Sequence, residues 1–159
     1  MRTPSKAESA DQELLTRERI RLGVVARDRA DAIDQAGKVL VETGAVEQPY
    51  VDAMHEREGV MSSYMGEGFA LPHGTDESRV HVRRAAVAFL QFAEPVVWDD
   101  DEAALAALAV AARSDEHVGV LATLARVLVD EEKAERLRTT DDPDEVLALL
   151  APAIEEEVE

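Results

Sequence analysis

The sequence contains four histidines, and the surroundings of each one limit the chemistry that it could support. His73 lies in the segment ALPHG, after Pro72, which fixes the backbone, and before Gly74, which permits close approach. A neutral imidazole is a usable nucleophile near pH 7, and either of its nitrogens can hold a phosphoryl group. The local sequence alone favours an ordinary histidine in a proline–glycine turn.

His117 has a different setting, near the third position of a helix predicted to begin after Ser114, its candidate N-cap. A helix N-terminus offers unpaired N–H groups and a partial positive charge, so it suits an anion. His117 could donate a hydrogen bond to a phosphoryl oxygen there, or it could be a surface histidine beside a cap. His55 and His81 have no comparable context, and we expect both to be surface residues.

Arg57 ends a short helix that the sequence predicts at residues 50–57. Its planar guanidinium could neutralise part of the charge of a phosphoryl group. The same side chain could instead interact with the carboxyl end of its own helix, where the dipole favours a cation. The sequence alone leaves both roles open.

Other kinds of site lack their signatures in this sequence. There is no cysteine, no HExxH pair and no GxSxG elbow, and the segment GEG is too short for a phosphate-binding loop and lacks the loop's lysine. Asp76 and Glu77 lie near His73, but carboxylates are abundant throughout this chain. We therefore expect neither a metal nor a cofactor.

The chain is strongly acidic, with 34 Asp and Glu residues, 17 Lys and Arg residues and a formal net charge of −17. This balance argues against general nucleic-acid binding, which needs a basic surface. Lysine occurs only at positions 6, 38 and 133, which favours adaptation to high internal salt over a generally acidic proteome. No apolar run approaches the roughly 20 residues of a membrane span, and no signal core is present, so we expect a cytoplasmic protein.

Apolar periodicity predicts alternating strands and helices, with a flexible lead-in at residues 1–18, one domain at 19–152 and an acidic tail at 153–159. Strands are expected at 20–25 and 85–92. Residues 99–102 are expected to form an exposed acidic loop, and the segment around 69–71 to be loop-like. Residues 103–112 are ambiguous, because alanine and leucine favour a helix. Helices are expected from Asp28, at 50–57, after Ser114, at 131–138 and at 144–150.

Two pairs of segments resemble the IIA domains of the mannitol/fructose-type sugar phosphotransferase systems. The first pair is AGKVLVETGAVEQPYVDAMHERE and SSYMGEGFALPHGT, and the second is LAVAARSDEHVGVLATLARVL and LRTTDDPDEVLALL. The resemblance covers about residues 20–150 in the correct order. The motif ALPHG followed downstream by SDEH is more specific than either motif alone.

The resemblance implies an α/β fold with a mixed β-sheet flanked by helices on both faces. It implies that residues 103–112 form a strand despite their helical propensity. His73 matches the family's phosphorylated histidine, His117 a second histidine that supports the phosphoryl group, and Arg57 an arginine near the same site.

The resemblance also implies the partners. Phosphoenolpyruvate would phosphorylate enzyme I, then HPr, and HPr would phosphorylate His73. A separate IIB chain, linked to a membrane IIC, would accept the group, because this sequence has no cysteine and no IIB-like segment. Arg79, Arg83 and Arg84 could make the docking surface less acidic than the rest of the protein.

Other functions stay open at this point. A regulatory IIA of the nitrogen-related type would use the phosphorylation state of His73 to control a partner. An interaction module without phosphoryl transfer is disfavoured because both His73 and His117 are present. A histidine metalloprotein is disfavoured further, and the residues do not identify a sugar.

Overall fold

The structure is a computed structural model that describes residues 14–113 and 116–158, without the side chains of 116–118 and 153–158. Residues 1–13 of the predicted lead-in therefore lie outside it. The strands are β1 (Ile20–Val24), β2 (Tyr64–Gly66), β3 (Phe69–Ala70), β4 (Ala86–Asp99) and β5 (Glu102–Ala111). The helices are α1 (Arg29–Glu42), α2 (Gln48–Val60), α3 (Glu116–Leu128), α4 (Glu131–Thr139) and α5 (Pro143–Val158).

The five strands form one sheet in the order β1-β4-β5-β3-β2. β1 is parallel to β4, and β3 is parallel to β5. The β4–β5 and β2–β3 pairs are antiparallel. This arrangement confirms the expected mixed sheet.

Helices cover both faces of the sheet, as expected for the α/β class. α1 and α2 contribute to a core cluster on one face, and α3, α4 and α5 contribute to a second cluster on the other. Leu14 and Leu15 are buried in the second cluster. Burial of the two apolar faces of the sheet is the main stabilising term of such a layered domain.

The first helix shows how local sequence defines an element. The Asp28 carboxylate accepts a hydrogen bond from the N–H of Asp31 at 2.8 Å, as expected of an N-cap. Ile33 and Leu40 recur at helical spacing and are buried against the sheet. Pro49 occupies the first turn of α2, where a missing N–H has no cost.

The segment 103–112 was ambiguous from its composition, and all of it but Ala112 belongs to β5, a central strand between β4 and β3. Ala106, Ala107 and Ala109 are fully buried there. Ladder hydrogen bonds to neighbours on both sides outweigh the small helical preference of alanine. The strand implied by the family resemblance is confirmed.

The strand predicted at residues 85–92 corresponds to β4. Its expected end at residue 92 was wrong, because β4 continues to Asp99. Val96 pairs with Ala104, and Asp99 pairs with Glu102. Pro95, which has no N–H to donate, lies where the pairing register shifts. The expected acidic loop at 99–102 is therefore a tight hairpin turn between two long strands. The segment expected to be loop-like contains the short β2–β3 hairpin.

Candidate functional site around His73

The backbone of His73 is held beside the central strand β5. His73 forms an isolated parallel bridge with Val110, and the N–H of Val110 donates to the carbonyl of Pro72 at 2.9 Å. β3 runs parallel to β5 just before this point and directs the chain into the bridge. The histidine is thus attached to a fully buried part of the sheet, while its side chain remains partly exposed.

The His73 ring has a defined orientation and tautomer. Its Nδ1 lies 2.8 Å from the carbonyl oxygen of Leu71. Because a carbonyl oxygen can only accept, Nδ1 carries the proton in this hydrogen bond. In the neutral ring, Nε2 is then the nitrogen with the lone pair. The contact directs nucleophilic chemistry to Nε2.

Tyr50 fixes the chain on the other side of His73. The Tyr50 hydroxyl accepts a hydrogen bond from the N–H of Gly74 at 2.9 Å and donates one to the carbonyl of Val110 at 2.8 Å. Burial raises the pKa of this hydroxyl, although the Gly74 N–H and the charge of Arg79 act in the opposite direction. The phenol therefore remains protonated at physiological pH.

Gly74 is in close contact with its surroundings, as the sequence predicted. A Cβ at this position would lie 2.5 Å from Ser78 Oγ and 2.6 Å from Tyr50 Cε1. The Ser78 hydroxyl is itself held by the carbonyl of Thr75 at 2.6 Å. The turn after His73 can therefore close only around a residue without a side chain.

The surface around the imidazole is a shallow depression of about 10 Å³, roughly the space that one water molecule needs. The imidazole is thus reached from an open surface of the described chain. Arg79 brings a positive charge to the depression and pairs with Asp76 at 3.1 Å. Arg79 was singled out in the sequence only as a possible docking residue. Arg83 pairs with Glu47 at 3.5 Å and lies outside the described lining.

Arg57 lies in the last turn of α2, where its Nη1 donates to the carbonyl of Met61 at 2.8 Å. It does not belong to the described lining of the depression. This geometry satisfies the end of the helix, and a role for Arg57 in charge stabilisation stays a prediction.

His117 lies in the first turn of α3, which follows the strand that carries Val110. Its side chain and the predicted N-cap Ser114 are outside the described part of the chain. The supporting role of His117 therefore also stays a prediction.

The two remaining histidines contact carboxylates elsewhere. His55 Nε2 lies 2.6 Å from Asp34 Oδ1, and His81 Nδ1 lies 3.5 Å from Glu47 Oε1. Both side chains are partly exposed, and neither is among the described residues that line the depression.

Glu58 supports the site indirectly and was not singled out in the sequence. It is buried, and its carboxylate accepts from the N–H of Ser63 at 2.6 Å and from the indole of Trp98 at 3.4 Å. The carbonyl of Ser63 in turn accepts from the N–H of Leu71 at 3.0 Å. Leu71 is the residue whose carbonyl orients His73. The sequence gives no indication of this role, because Glu58 is one of 34 acidic residues and no local motif distinguishes it.

Within the described residues, no group of three or more His, Cys, Asp or Glu side chains is arranged to hold a metal ion. No helix in the same part of the chain is long and apolar enough to cross a bilayer.

Comparisons with known proteins agree over most of the chain. Residues 13–152 match the family described as "Phosphoenolpyruvate-dependent sugar phosphotransferase system, EIIA 2". The "Mannitol-specific phosphotransferase enzyme IIA component" of Halalkalibacterium halodurans is 40% identical over 139 residues, which cover 87% of this chain and 95% of that protein. The "Multiphosphoryl transfer protein" of Xanthomonas campestris is 40% identical over 136 residues, which cover 86% of this chain but only 16% of that longer protein.

Solved structures agree with these relatives. The Escherichia coli complex of enzyme IIA of the mannitol system with phosphorylated enzyme IIB aligns with a TM-score of 0.82 at 40% identity. The alignment covers 87% of this chain and 99% of the matched chain. The fold and these matches define a phosphotransferase of the phosphoryl-carrier class. The chain belongs to the EIIA 2 family of the phosphoenolpyruvate-dependent sugar phosphotransferase system.

Proposed function

We propose that this chain is the IIA component of a mannitol-type system and that it carries the phosphoryl group on Nε2 of His73. The observation that carries the proposal is the hydrogen bond from Nδ1 to the Leu71 carbonyl at 2.8 Å. It leaves Nε2 as the nucleophilic nitrogen and holds the ring at a partly exposed position.

The transfer is a displacement at phosphorus. The lone pair of Nε2 forms the new N–P bond as the bond between phosphorus and the donor's nitrogen breaks, and the donor nitrogen keeps that electron pair. The His73 ring retains its proton on Nδ1 and gains positive charge. The Leu71 carbonyl then accepts a charge-assisted hydrogen bond, which stabilises the phosphorylated ring. Such a reaction depends mainly on positioning and charge stabilisation.

We assign His117 to the support of the phosphoryl oxygens and Arg57 to neutralisation of their charge. The support for His117 is its place in the first turn of α3, because a helix N-terminus favours an anion. For Arg57 the support is the family resemblance. Arg79 is a third candidate, because it lines the depression beside His73.

The proposed donor is phosphorylated HPr, and the proposed acceptor is a separate IIB chain that is linked to a membrane IIC. The complex of the related Escherichia coli IIA with phosphorylated IIB supports the acceptor. The partly exposed position of the His73 side chain makes it accessible to a group carried by another protein. The reaction would take place in the cytoplasm, within a domain at residues 19–152.

A regulatory role of the nitrogen-related type is the second candidate. It is less supported, because the relative that this chain spans almost completely carries a mannitol-specific name. Both roles require the same phosphorylation of His73, so they differ in the partner and not in the site.

The test is the intact mass of the protein after incubation with phosphoenolpyruvate, enzyme I and HPr, in low and high salt. We expect a gain of one phosphoryl group that is lost in His73→Ala. His81→Ala is the matched control, because His81 lies outside the described lining of the depression, and it should be phosphorylated normally. An unchanged mass gain in His73→Ala, or no gain in the wild type with active donors, would refute the proposal.

A further inference from the structure

We infer that Tyr50 is a positioning residue for phosphoryl transfer, because its hydroxyl is inserted between Gly74 and Val110 and so sets where the His73 imidazole lies. The inference rests on the proposed role of His73. It assigns no chemical step to Tyr50 itself.

The pairing around His73 shows which backbone groups the hydroxyl holds. In a parallel bridge, one residue bonds to the two residues that flank its partner. Its N–H donates to the carbonyl of the residue before the partner, and its carbonyl accepts from the N–H of the residue after it. On the first side, the N–H of Val110 donates directly to the carbonyl of Pro72 at 2.9 Å. The corresponding bond on the second side would run from the N–H of Gly74 to the carbonyl of Val110. The Tyr50 hydroxyl bonds to both of these groups, at 2.9 Å from the Gly74 nitrogen and 2.8 Å from the Val110 oxygen.

The Tyr50 hydroxyl is a fixed point for the chain immediately after His73, because it bonds to the Gly74 N–H and to the carbonyl of β5 that faces it. The chain is therefore bonded directly to the sheet before His73 and through the Tyr50 side chain after it. The two attachments together set the backbone at the residue that carries the imidazole.

Tyr50 is well placed to act as a rigid spacer. It lies in the first turn of α2, and its side chain is 4% exposed. Its ring packs against Gly74 closely enough to exclude a Cβ there. The hydroxyl uses its proton for the Val110 carbonyl and accepts from Gly74, so both of its bonds go to the backbone that flanks or pairs with His73.

Loss of the hydroxyl should therefore act on the transfer step. In Tyr50→Phe, the hydroxyl bridge between Gly74 and Val110 is lost, so the backbone that carries the imidazole loses one of its two attachments. A misplacement of about 1 Å can slow a reaction that depends on alignment by about 100-fold. The surface that meets the donor protein is unchanged, so docking should be preserved.

Tyr64→Phe is the matched control, because the chain has two tyrosines and both accept from a glycine N–H. The Tyr64 hydroxyl accepts from Gly68 at 3.0 Å, in the β2–β3 hairpin. Tyr64 is not among the described residues that line the depression. The control removes the same atom and the same kind of bond without touching the backbone beside His73.

The experiment measures single-turnover transfer from phosphorylated HPr to the full-length wild type, Tyr50→Phe, Tyr64→Phe and His73→Ala. Thermal unfolding curves establish that each variant is folded at the assay temperature. For Tyr50→Phe we expect the rate at saturating donor to fall by about 10- to 100-fold. The donor concentration that gives half the maximal rate should change by less than about twofold, because docking is unaffected. Tyr64→Phe should keep both values within about twofold of the wild type.

Nitrogen-15 NMR of the His73 ring supplies a readout that lost stability alone would not move. We expect the ring nitrogen shifts to change in Tyr50→Phe and to be preserved in Tyr64→Phe. A transfer rate of Tyr50→Phe within about twofold of the wild type, an equal loss in Tyr64→Phe, a loss confined to donor affinity, or unchanged ring shifts would each overturn the inference. Phosphorylation of His73→Ala would instead refute the proposed function.

Discussion

Replacing Gly74 with alanine would place a methyl group where the structure leaves no room. The new Cβ would lie 2.5 Å from Ser78 Oγ and 2.6 Å from Tyr50 Cε1. Neither neighbour can move easily, since Ser78 is held by the Thr75 carbonyl and the Tyr50 hydroxyl bridges two backbone groups. Overpacking of this kind typically costs about 1–3 kcal/mol of unfolding free energy.

Gly59→Ala is the matched control for this substitution. Gly59 lies in α2, and a Cβ there would meet nothing within 4 Å. Alanine is favoured over glycine in a helix by up to about 1 kcal/mol. The two identical replacements should therefore change stability in opposite directions.

Urea unfolding followed by circular dichroism measures both effects, with the free energy taken from the linear dependence on denaturant. The same changes should appear as shifts of about 2–4 °C in Tm for each kcal/mol. We expect Gly74→Ala to unfold at lower urea than the wild type and Gly59→Ala at equal or higher urea. A Gly74→Ala protein as stable as the wild type would refute the packing described around His73.

Two further predictions concern the first two helices. A Cβ at Gly37 would lie 2.7 Å from Val51 Cγ1, so Gly37→Ala should destabilise the wild type by about 1–3 kcal/mol. The same change should cost less in a Val51→Ala background; equal costs in a double-mutant cycle would contradict this contact. The backbone N–H of Arg27 donates a hydrogen bond to the Asp31 carboxylate and lowers the pKa of Asp31. The positive charge of Arg27 and the hydrogen bond from the Gln35 side chain act in the same direction. The pKa of Asp31 in the folded state thus lies below its value of about 3.9 in the unfolded chain. The ionised carboxylate therefore stabilises the fold above about pH 3.9, and this stabilisation is lost as the pH falls through the folded-state pKa. Unfolding midpoints of Asp31→Asn should therefore fall less steeply than those of the wild type below pH 4, and parallel curves would exclude the effect.

The elements that the sequence predicted well are those with local signals. β1 follows from an apolar run and ends one residue before its expected bound, and α1 follows from helical spacing and begins directly after its N-cap Asp28, as expected. β5 could not be assigned from its residues, because its alanines favour a strand only when β3 and β4 pair with it. The full length of β4 depends on the same pairing.

The site shows the same division between local and distant information. Pro72 and Gly74 mark the position of His73 within one short motif, and the family resemblance supplied its proposed role. The contacts of Tyr50 join residues that are 24 and 60 positions apart in the sequence. No local pattern encodes such contacts, so the spacer at Tyr50 became visible only in the folded chain.

The central claim is that His73 accepts the phosphoryl group on Nε2. Its most direct test is NMR of the phosphorylated protein labelled with nitrogen-15 in histidine, which identifies the ring nitrogen bonded to phosphorus. The account predicts phosphorus on Nε2 of His73, with Nδ1 still protonated and bonded to the Leu71 carbonyl. Phosphorus on Nδ1, or on another histidine, would contradict it.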